Sequence, residues 1–261
     1  MVAVPEPAFH VLVLTEDGTK HTWHTAFVTI RELAKKLLRH LDHRCETHRI
    51  EFSPVSDDQI RETVTANNFK SRRRPQKYRL HQLIAAVLQT EGFVLHHVDA
   101  DRAWGSAPRT SANETAARTE LIDQVRALLV ANNFRPDAIA AMMSRYLLLV
   151  PYRELEAWLY QNTEKAATLC LAQPGCRGKH AALLESWRAD RSLLDEHPDP
   201  PSALCLGKAH NTELVHAYPT AEVVAAGKSL AAAVAAMLAC DALLHAIQRT
   251  YETPPPDLES T

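Results

Sequence analysis

Four short candidate strands set the strongest limit on how this chain can fold: FHVLVL (9–14), RIEFSPV (49–55), FVLHHV (93–98) and RYLLLV (145–150). Each is strand-sized and bounded by polar or turn-forming residues, the pattern of a strand buried on both faces. Between them the period changes. Over 26–42, Phe27, Ile30, Leu33, Leu37, Leu38 and Leu41 recur at helical spacing, with basic residues on the other side. LHQLIAAVLQTEG (80–92) reads as a helix stopped at Gly92, and 112–133 as another with Leu121, Ile122, Val125, Leu128 and Leu129 on one face. After the fourth run, YRELEAWLYQN is expected to be a helix with Pro151 at its first turn. Strand and helix alternating four times imply an α/β fold: a mostly parallel, Rossmann-like four-stranded sheet with helices on both faces.

Beyond about residue 170 the alternation stops. QPGCRG is a loop, 179–196 a helix, HPDPPSALCLGKAHN irregular, 220–250 one long Ala-rich helix and TPPPDLEST a frayed tail. The expected organisation is an α/β domain over 1–170, a helical region over 171–252 and a flexible tail over 253–261. A hydrophobic fraction of 46% and a charged fraction of 23% are ordinary for a globular chain and argue against disorder. Five cysteines (Cys45, Cys170, Cys176, Cys205, Cys240) include no C-x-x-C pair, which argues against a disulfide framework or zinc ribbon and suits a reducing cytoplasm. The N-terminus lacks the basic start and apolar core of a signal peptide, and SLAAAVAAMLAC has only 12 residues, too few to span a bilayer. A soluble cytoplasmic protein with no membrane partner is therefore expected. GKS (227–229) lacks the upstream glycine of a P-loop, and neither G-x-S-x-G nor H-E-x-x-H occurs.

Acids follow three of the four strands: Glu16 and Asp17, Asp99 and Asp101, Glu154 and Glu156. Open parallel sheets place functional groups at the carboxyl ends of their strands. In extended chain Asp99 and Asp101 would leave the same face about 6–7 Å apart. Two carboxylates at about 6 Å repel by roughly 3 kcal/mol at an effective dielectric of about 20. A Mg²⁺ ion reverses that sign and prefers oxygen ligands. The bland alternative is a pair of loop acids, with Asp101 capping a turn and Arg102 offsetting its charge. Glu154 and Glu156 flank the apolar face of their helix on opposite sides, so spacing does not choose between them, and acids near a helix N-terminus are favoured in any case. KSRRRPQKYR (70–79) holds six Lys or Arg and no acid. Arg72, Arg73, Arg74 and Lys77 could meet a phosphate backbone, or the run could be a solvated loop. The pairs His21/His24 and His96/His97 lack a matched third ligand and read as surface or packing residues.

A strand ending in Glu, a later strand ending in D-x-D and the α/β alternation around them resemble the Toprim domain of topoisomerases, primases and the overcoming-lysogenization-defect nucleases. More closely, VPYRELEAWL (150–159) is similar to the R-E-[IL]-E-x-W segment of an uncharacterised bacterial Toprim-related family. Members of that family begin with a strand running into E-G-x-T-E. Here TEDGTK retains Glu16 and Thr19, with Asp17 in place of the glycine and Lys20 in place of the last acid. The resemblance covers roughly residues 9–170. It implies a Toprim-like sheet, Glu16 as general acid/base and metal ligand, Asp99 and Asp101 as further ligands of Mg²⁺ or Mn²⁺, and Glu154 or Glu156 completing the site. It further implies phosphodiester hydrolysis of DNA or RNA in anti-phage defence, with a separate ATPase subunit and a homo-oligomer as compatible partners. The departures at Asp17 and Lys20 leave open an inactive sensor or docking module. Receiver domains are shorter, and haloacid-dehalogenase phosphatases carry D-x-D after the first strand, so both fit less well.

Overall fold

The computed structural model describes residues 6–16, 22–64, 74–101, 111–176, 178–191, 193–194, 206–226 and 228–252. Four strands, β1 (Phe9–Thr15), β2 (Ile50–Pro54), β3 (Phe93–His97) and β4 (Tyr146–Leu149), form one sheet in the order β2-β1-β3-β4. All three pairings are parallel, with Phe9 opposite Ile50, Val11 opposite Phe93 and Val94 opposite Tyr146. Parallel neighbours need crossover connections, and these carry the helices that cover both faces.

Strand alternation divides the core. Phe9, Val11, Val13, Phe93, Leu95, Leu147 and Leu149 face one layer, and Leu12, Leu14, Val94, Val98 and Tyr146 face the other. The first layer is built by α1 (Trp23–Leu41), through Ile30, Leu33 and Leu37, and by helices from the end of the chain. The second holds α3 (Arg74–Gln89), which follows the short α2 (Asp58–Arg61). It also holds α4 (Ala112–Ala117) and α5 (Asp123–Ala131), joined through a π-helical turn at Arg118–Ile122, and α6 (Pro136–Met143). The last of these begins with Pro136 at its first turn, a start signal the periodicity reading passes over.

The remaining helices are α7 (Leu155–Leu159), α8 (Thr163–Ala172), α9 (Ala181–Ala189), α10 (Asn211–Val215), α11 (Thr220–Ala225), α12 (Ser229–Leu238) and α13 (Asp241–Arg249). Leu214, Leu230, Val234, Leu243 and Ile247 join the same apolar cluster as α1 and the sheet, so the C-terminal helices complete the first layer. The expected single helix over 220–250 is three helices. Lys228 leaves helical space (φ −115°, ψ −147°), Cys240 is extended (φ −97°, ψ 90°), and α12 and α13 meet at 76°. The bend lets the apolar faces of both helices reach one core. Among the described residues no single helix is long and apolar enough to cross a membrane.

The end of α3 also refines the sequence reading. Its left-handed residue is Glu91 (φ 60°), and Gly92 donates its N–H to Val87 O at 2.9 Å. This is a Schellman closure with Glu91 in the position glycine usually takes. Gly92 is needed for a different reason: a Cβ there would lie 2.8 Å from Val87 Cγ1 and 2.9 Å from Val87 O.

Candidate active site

In the order β2-β1-β3-β4 the chain turns one way from β1 to β2 and the other way to β3. The carboxyl ends of β1 and β3 therefore border the crevice where open α/β sheets gather ligands. Glu16, immediately after β1, reaches across it: the Asp99 N–H donates to Glu16 Oε2 at 2.8 Å.

The D-A-D segment is not a continuation of strand geometry. β3 ends at His97, and the backbone then follows the chain leaving β4, with Val98 N–H donating to Leu149 O (3.0 Å) and Ala100 N–H to Pro151 O (3.3 Å). The every-other-residue rhythm breaks at Asp101, whose N–H donates to Arg153 O at 2.9 Å and whose φ is +50°. Left-handed backbone is tolerated by aspartate better than by most residues, at about 1 kcal/mol or more. The expectation of two carboxylates leaving one face of an extended chain is corrected accordingly, because the partners are carbonyls of the β4–α7 bend. Asn113 in α4 fixes the result, with Nδ2 donating to Asp99 O (3.0 Å) and to Asp101 Oδ2 (2.7 Å).

The same bonds explain why α7 starts at Leu155 and not beside Pro151. Residues 151–153 are held alongside 100–101, and Glu154 is extended (φ −144°, ψ 162°). The first helical N–H, that of Leu155, is taken by Asp99 Oδ1 at 2.8 Å. D-A-D and R-E-L-E-A-W are thus hydrogen-bonded to one another through main chain and carboxylate.

This geometry separates the two glutamates. Glu156 is buried (3% exposed) and accepts a hydrogen bond from Asn211 Nδ2 at 2.7 Å. Glu154 lies within electrostatic reach of both Glu156 and Asp99. Burial, then the charges of Glu156 and Asp99, push its pKa up to about 7. Glu16 is likewise pushed up to about 7, by burial first and then by the charge of Asp99. Asp101 is raised too, chiefly by burial, with Asn113, Arg153 and Lys208 acting in the opposite direction. Glu16, Asp99, Asp101 and Glu154 therefore form one electrostatically coupled group, opposed by Arg153 and Lys208.

His97 adds a ring to this group: its Nε2 stands 3.0 Å from Asp99 Oδ1. The neighbouring His96 points into the other layer, with Nδ1 2.8 Å from the Tyr146 hydroxyl and its pKa pushed down to about 3 by burial. Adjacent strand residues face opposite ways, so the two histidines do not act as a pair. Spacing could have identified His97, since it lies two residues before Asp99. Asn113, Lys208 and Asn211 had no such local signal.

Of the basic run, Arg72 and Arg73 lie outside the described residues, as do Asp17, Thr19, Lys20, His21 and Arg102. Arg74 begins α3, and the Lys77 Nζ is 3.3 Å from Glu120 Oε2 with its side chain only 13% exposed. Helical structure therefore starts within the run, ahead of the start at Leu80 that the periodicity predicts.

Each of the three acids bonded at the crevice has one oxygen in a hydrogen bond: Glu16 Oε2, Asp99 Oδ1 and Asp101 Oδ2. Among the described residues no group of three or more His, Cys, Asp or Glu side chains is arranged to hold a metal ion. Chemically the cluster offers two carboxyl groups that exchange protons near neutral pH and a set of hard oxygen donors at a sheet crevice. No protein-family model, curated protein or solved structure matches the chain.

Proposed function

We propose that the protein is a Toprim-type nuclease that uses Mg²⁺ or Mn²⁺ to hydrolyse phosphodiester bonds in DNA or RNA. The observation that carries this reading is the set of acids at the β1/β3 crevice: Glu16, Asp99 and Asp101, held by hydrogen bonds from Asp99 N–H, Leu155 N–H and Asn113, with the charge of Glu154 acting beside them. Mg²⁺ is commonly held by one or two carboxylates, with waters and substrate phosphate oxygens filling the remaining positions. Asp99 and Asp101 suit that requirement without a cage of three side chains, and Glu16 and Glu154 add negative charge beside them. The bound ion would supply charge stabilisation at the attacking and leaving oxygens.

The chain's own groups have separable tasks. With its pKa near 7, Glu16 is suited to accept a proton from an attacking water and return it to a leaving oxygen. The Leu155 N–H and Asn113 hold the two aspartates in register. Arg72, Arg73, Arg74 and Lys77 precede or begin α3, whose N-terminus lies at the carboxyl edge by the topology of the crossover, and they are the proposed contacts to the phosphate backbone. A cytoplasmic anti-phage effector working beside a separate ATPase is the setting the resemblance suggests.

The test is metal-dependent cleavage of single- and double-stranded DNA and RNA by the full chain and by Asp99→Ala, Asp101→Ala and Glu16→Ala. Removing an acid/base is expected to slow cleavage by roughly 10²–10⁴-fold. Undiminished cleavage in all three variants would reject the assignment. The competing reading, an inactive Toprim-like module, is favoured by the departures at Asp17 and Lys20. It requires that calorimetry detect no uptake of Mg²⁺ or Mn²⁺.

A further inference from the structure

Next to the acid cluster lies a cavity of about 200 Å³ whose wall includes Thr22, Thr25, His97, Leu155, Lys208 and Asn211. His97 and Leu155 are common to both, since each also contacts Asp99 Oδ1. Three features of the wall point to the chemistry of an occupant.

The first is the start of α1. Its hydrogen bonding begins with Ala26 N–H to Thr22 O, so the N–H groups of Trp23, His24 and Thr25 have no acceptor within the helix. This 19-residue helix also starts without a side-chain cap and without an acid in its first turn. Among the described residues, then, no side-chain cap and no first-turn acid offsets its partial positive charge. The second is Lys208, an exposed cation at the cavity whose charge also reaches Asp101 and Glu154. The third is Asn211, only 5% exposed. The bond from its Nδ2 to Glu156 fixes which end of the amide is the donor. Its Oδ1 is buried with no hydrogen-bond partner among the described residues. A buried acceptor left unmet costs about 1–3 kcal/mol, so the position calls for a donor.

An anion on the helix end and Lys208, with a hydroxyl donor on Asn211, describes a sugar phosphate. The volume limits its size. Pockets for whole drug-sized ligands run from about 300 Å³ upward, so about 200 Å³ suits a phosphate and its sugar with the base outside. We infer that this cavity binds a phosphomonoester carrying a neighbouring hydroxyl, the terminal sugar phosphate of a nucleotide or of an RNA strand. The identity of the sugar phosphate rests on the nuclease reading; the anion-plus-donor chemistry does not. Under that reading the cavity holds a strand end beside the acids and would direct hydrolysis to positions near ends.

Binding separates the two. Calorimetry in EDTA at pH 6 would compare uridine trinucleotides ending in a 5′-phosphate, a 3′-phosphate or hydroxyls only, with uridine 5′-monophosphate as the single-nucleotide probe. One phosphorylated end is expected to bind at least about tenfold tighter than the hydroxyl ends, and Lys208→Ala to abolish that preference. Asn211→Ala is expected to weaken the preferred phosphorylated trinucleotide and the monophosphate. Because it is buried, the exposed Lys208→Ala decides the matter if Asn211→Ala fails to fold. A monophosphate as tight as the trinucleotide makes a free nucleotide the occupant, and a tighter trinucleotide makes it a strand end. Equal affinity for all ends, or an undiminished preference in Lys208→Ala, overturns the inference. Phosphate-dependent binding without cleavage in Mg²⁺ leaves the subsite and removes the nuclease reading; cleavage indifferent to end chemistry and to Lys208 does the reverse.

Discussion

Glu16→Gln is expected to make the protein more stable at pH 8 while removing the proposed nuclease activity. Glu16 rises from 4.5 to about 7 in the fold, with burial as the largest cause and the Asp99 charge next. At about 1.4 kcal/mol for each pKa unit, holding this side chain ionised in the fold costs roughly 3 kcal/mol more than in the unfolded chain. The hydrogen bond from Asp99 N–H already lies inside that figure, since it acts to lower the pKa. Some solvent reaches Glu16, and screening reduces the expected net effect to about 2 kcal/mol. Glutamine keeps a carbonyl that can accept the Asp99 N–H, so the exchange removes the charge and little else.

The sign follows from proton binding. Between pH 4.5 and about 7 the folded state retains a proton that the unfolded state has released. The stability this proton contributes is complete below the unfolded value and is lost as pH rises through the folded one. The gain on mutation should therefore be under about 1 kcal/mol at pH 5 and about 2 kcal/mol at pH 8. Urea unfolding at both pH values, with equal slopes for the two proteins, measures the difference directly. A change that is the same at both pH values, or a variant less stable than wild type at pH 8, would refute the electrostatic account of the cluster. The cleavage assay on the same variant should show a loss of roughly 10²–10⁴-fold.

Other expectations follow from the same bonds. Mg²⁺ should raise the thermal midpoint at pH 8, by up to about 3 kcal/mol of stability at a hundredfold excess over Kd. It should do much less at pH 5, where Glu16 and Glu154 carry protons, and scanning calorimetry with and without the ion at both pH values checks this. Asn113→Ala removes two hydrogen bonds that hold the D-A-D loop. A loss of about 1–3 kcal/mol in urea unfolding is expected, together with weaker metal binding by calorimetry. At the end of α3, Glu91→Gly should stabilise by about 0.5–1 kcal/mol by relieving left-handed backbone. Gly92→Ala should destabilise by about 1–3 kcal/mol, because the added methyl meets Val87. Thermal denaturation of the pair distinguishes conformational freedom from close packing as the reason for glycine there.

The strands were legible because both faces of the sheet are covered. Val11, Leu12, Val13 and Leu14 are all buried, so β1 appears in sequence as an unbroken apolar run whatever packs on it. The acids were legible for a related reason, since a polar residue directly after such a run has to emerge at the sheet edge. What positions those acids was not local. The geometry of D-A-D depends on carbonyls of Pro151 and Arg153, on the amide of Leu155 and on Asn113, none of which a period-two pattern contains. The difference between Glu154 and Glu156 depends on Asn211, from a stretch that reads as irregular. Asn211 and its neighbour Lys208 also line the cavity beside the acids. The C-terminal segment therefore buries one glutamate, leaves the other among the crevice acids and contributes a cation at their margin. If that segment only packed the sheet, substitutions at Lys208 would leave the titrations of Asp101 and Glu154 unchanged. Its position requires that Lys208→Ala move both further upward, a shift that carboxyl-carbon NMR of each group can read.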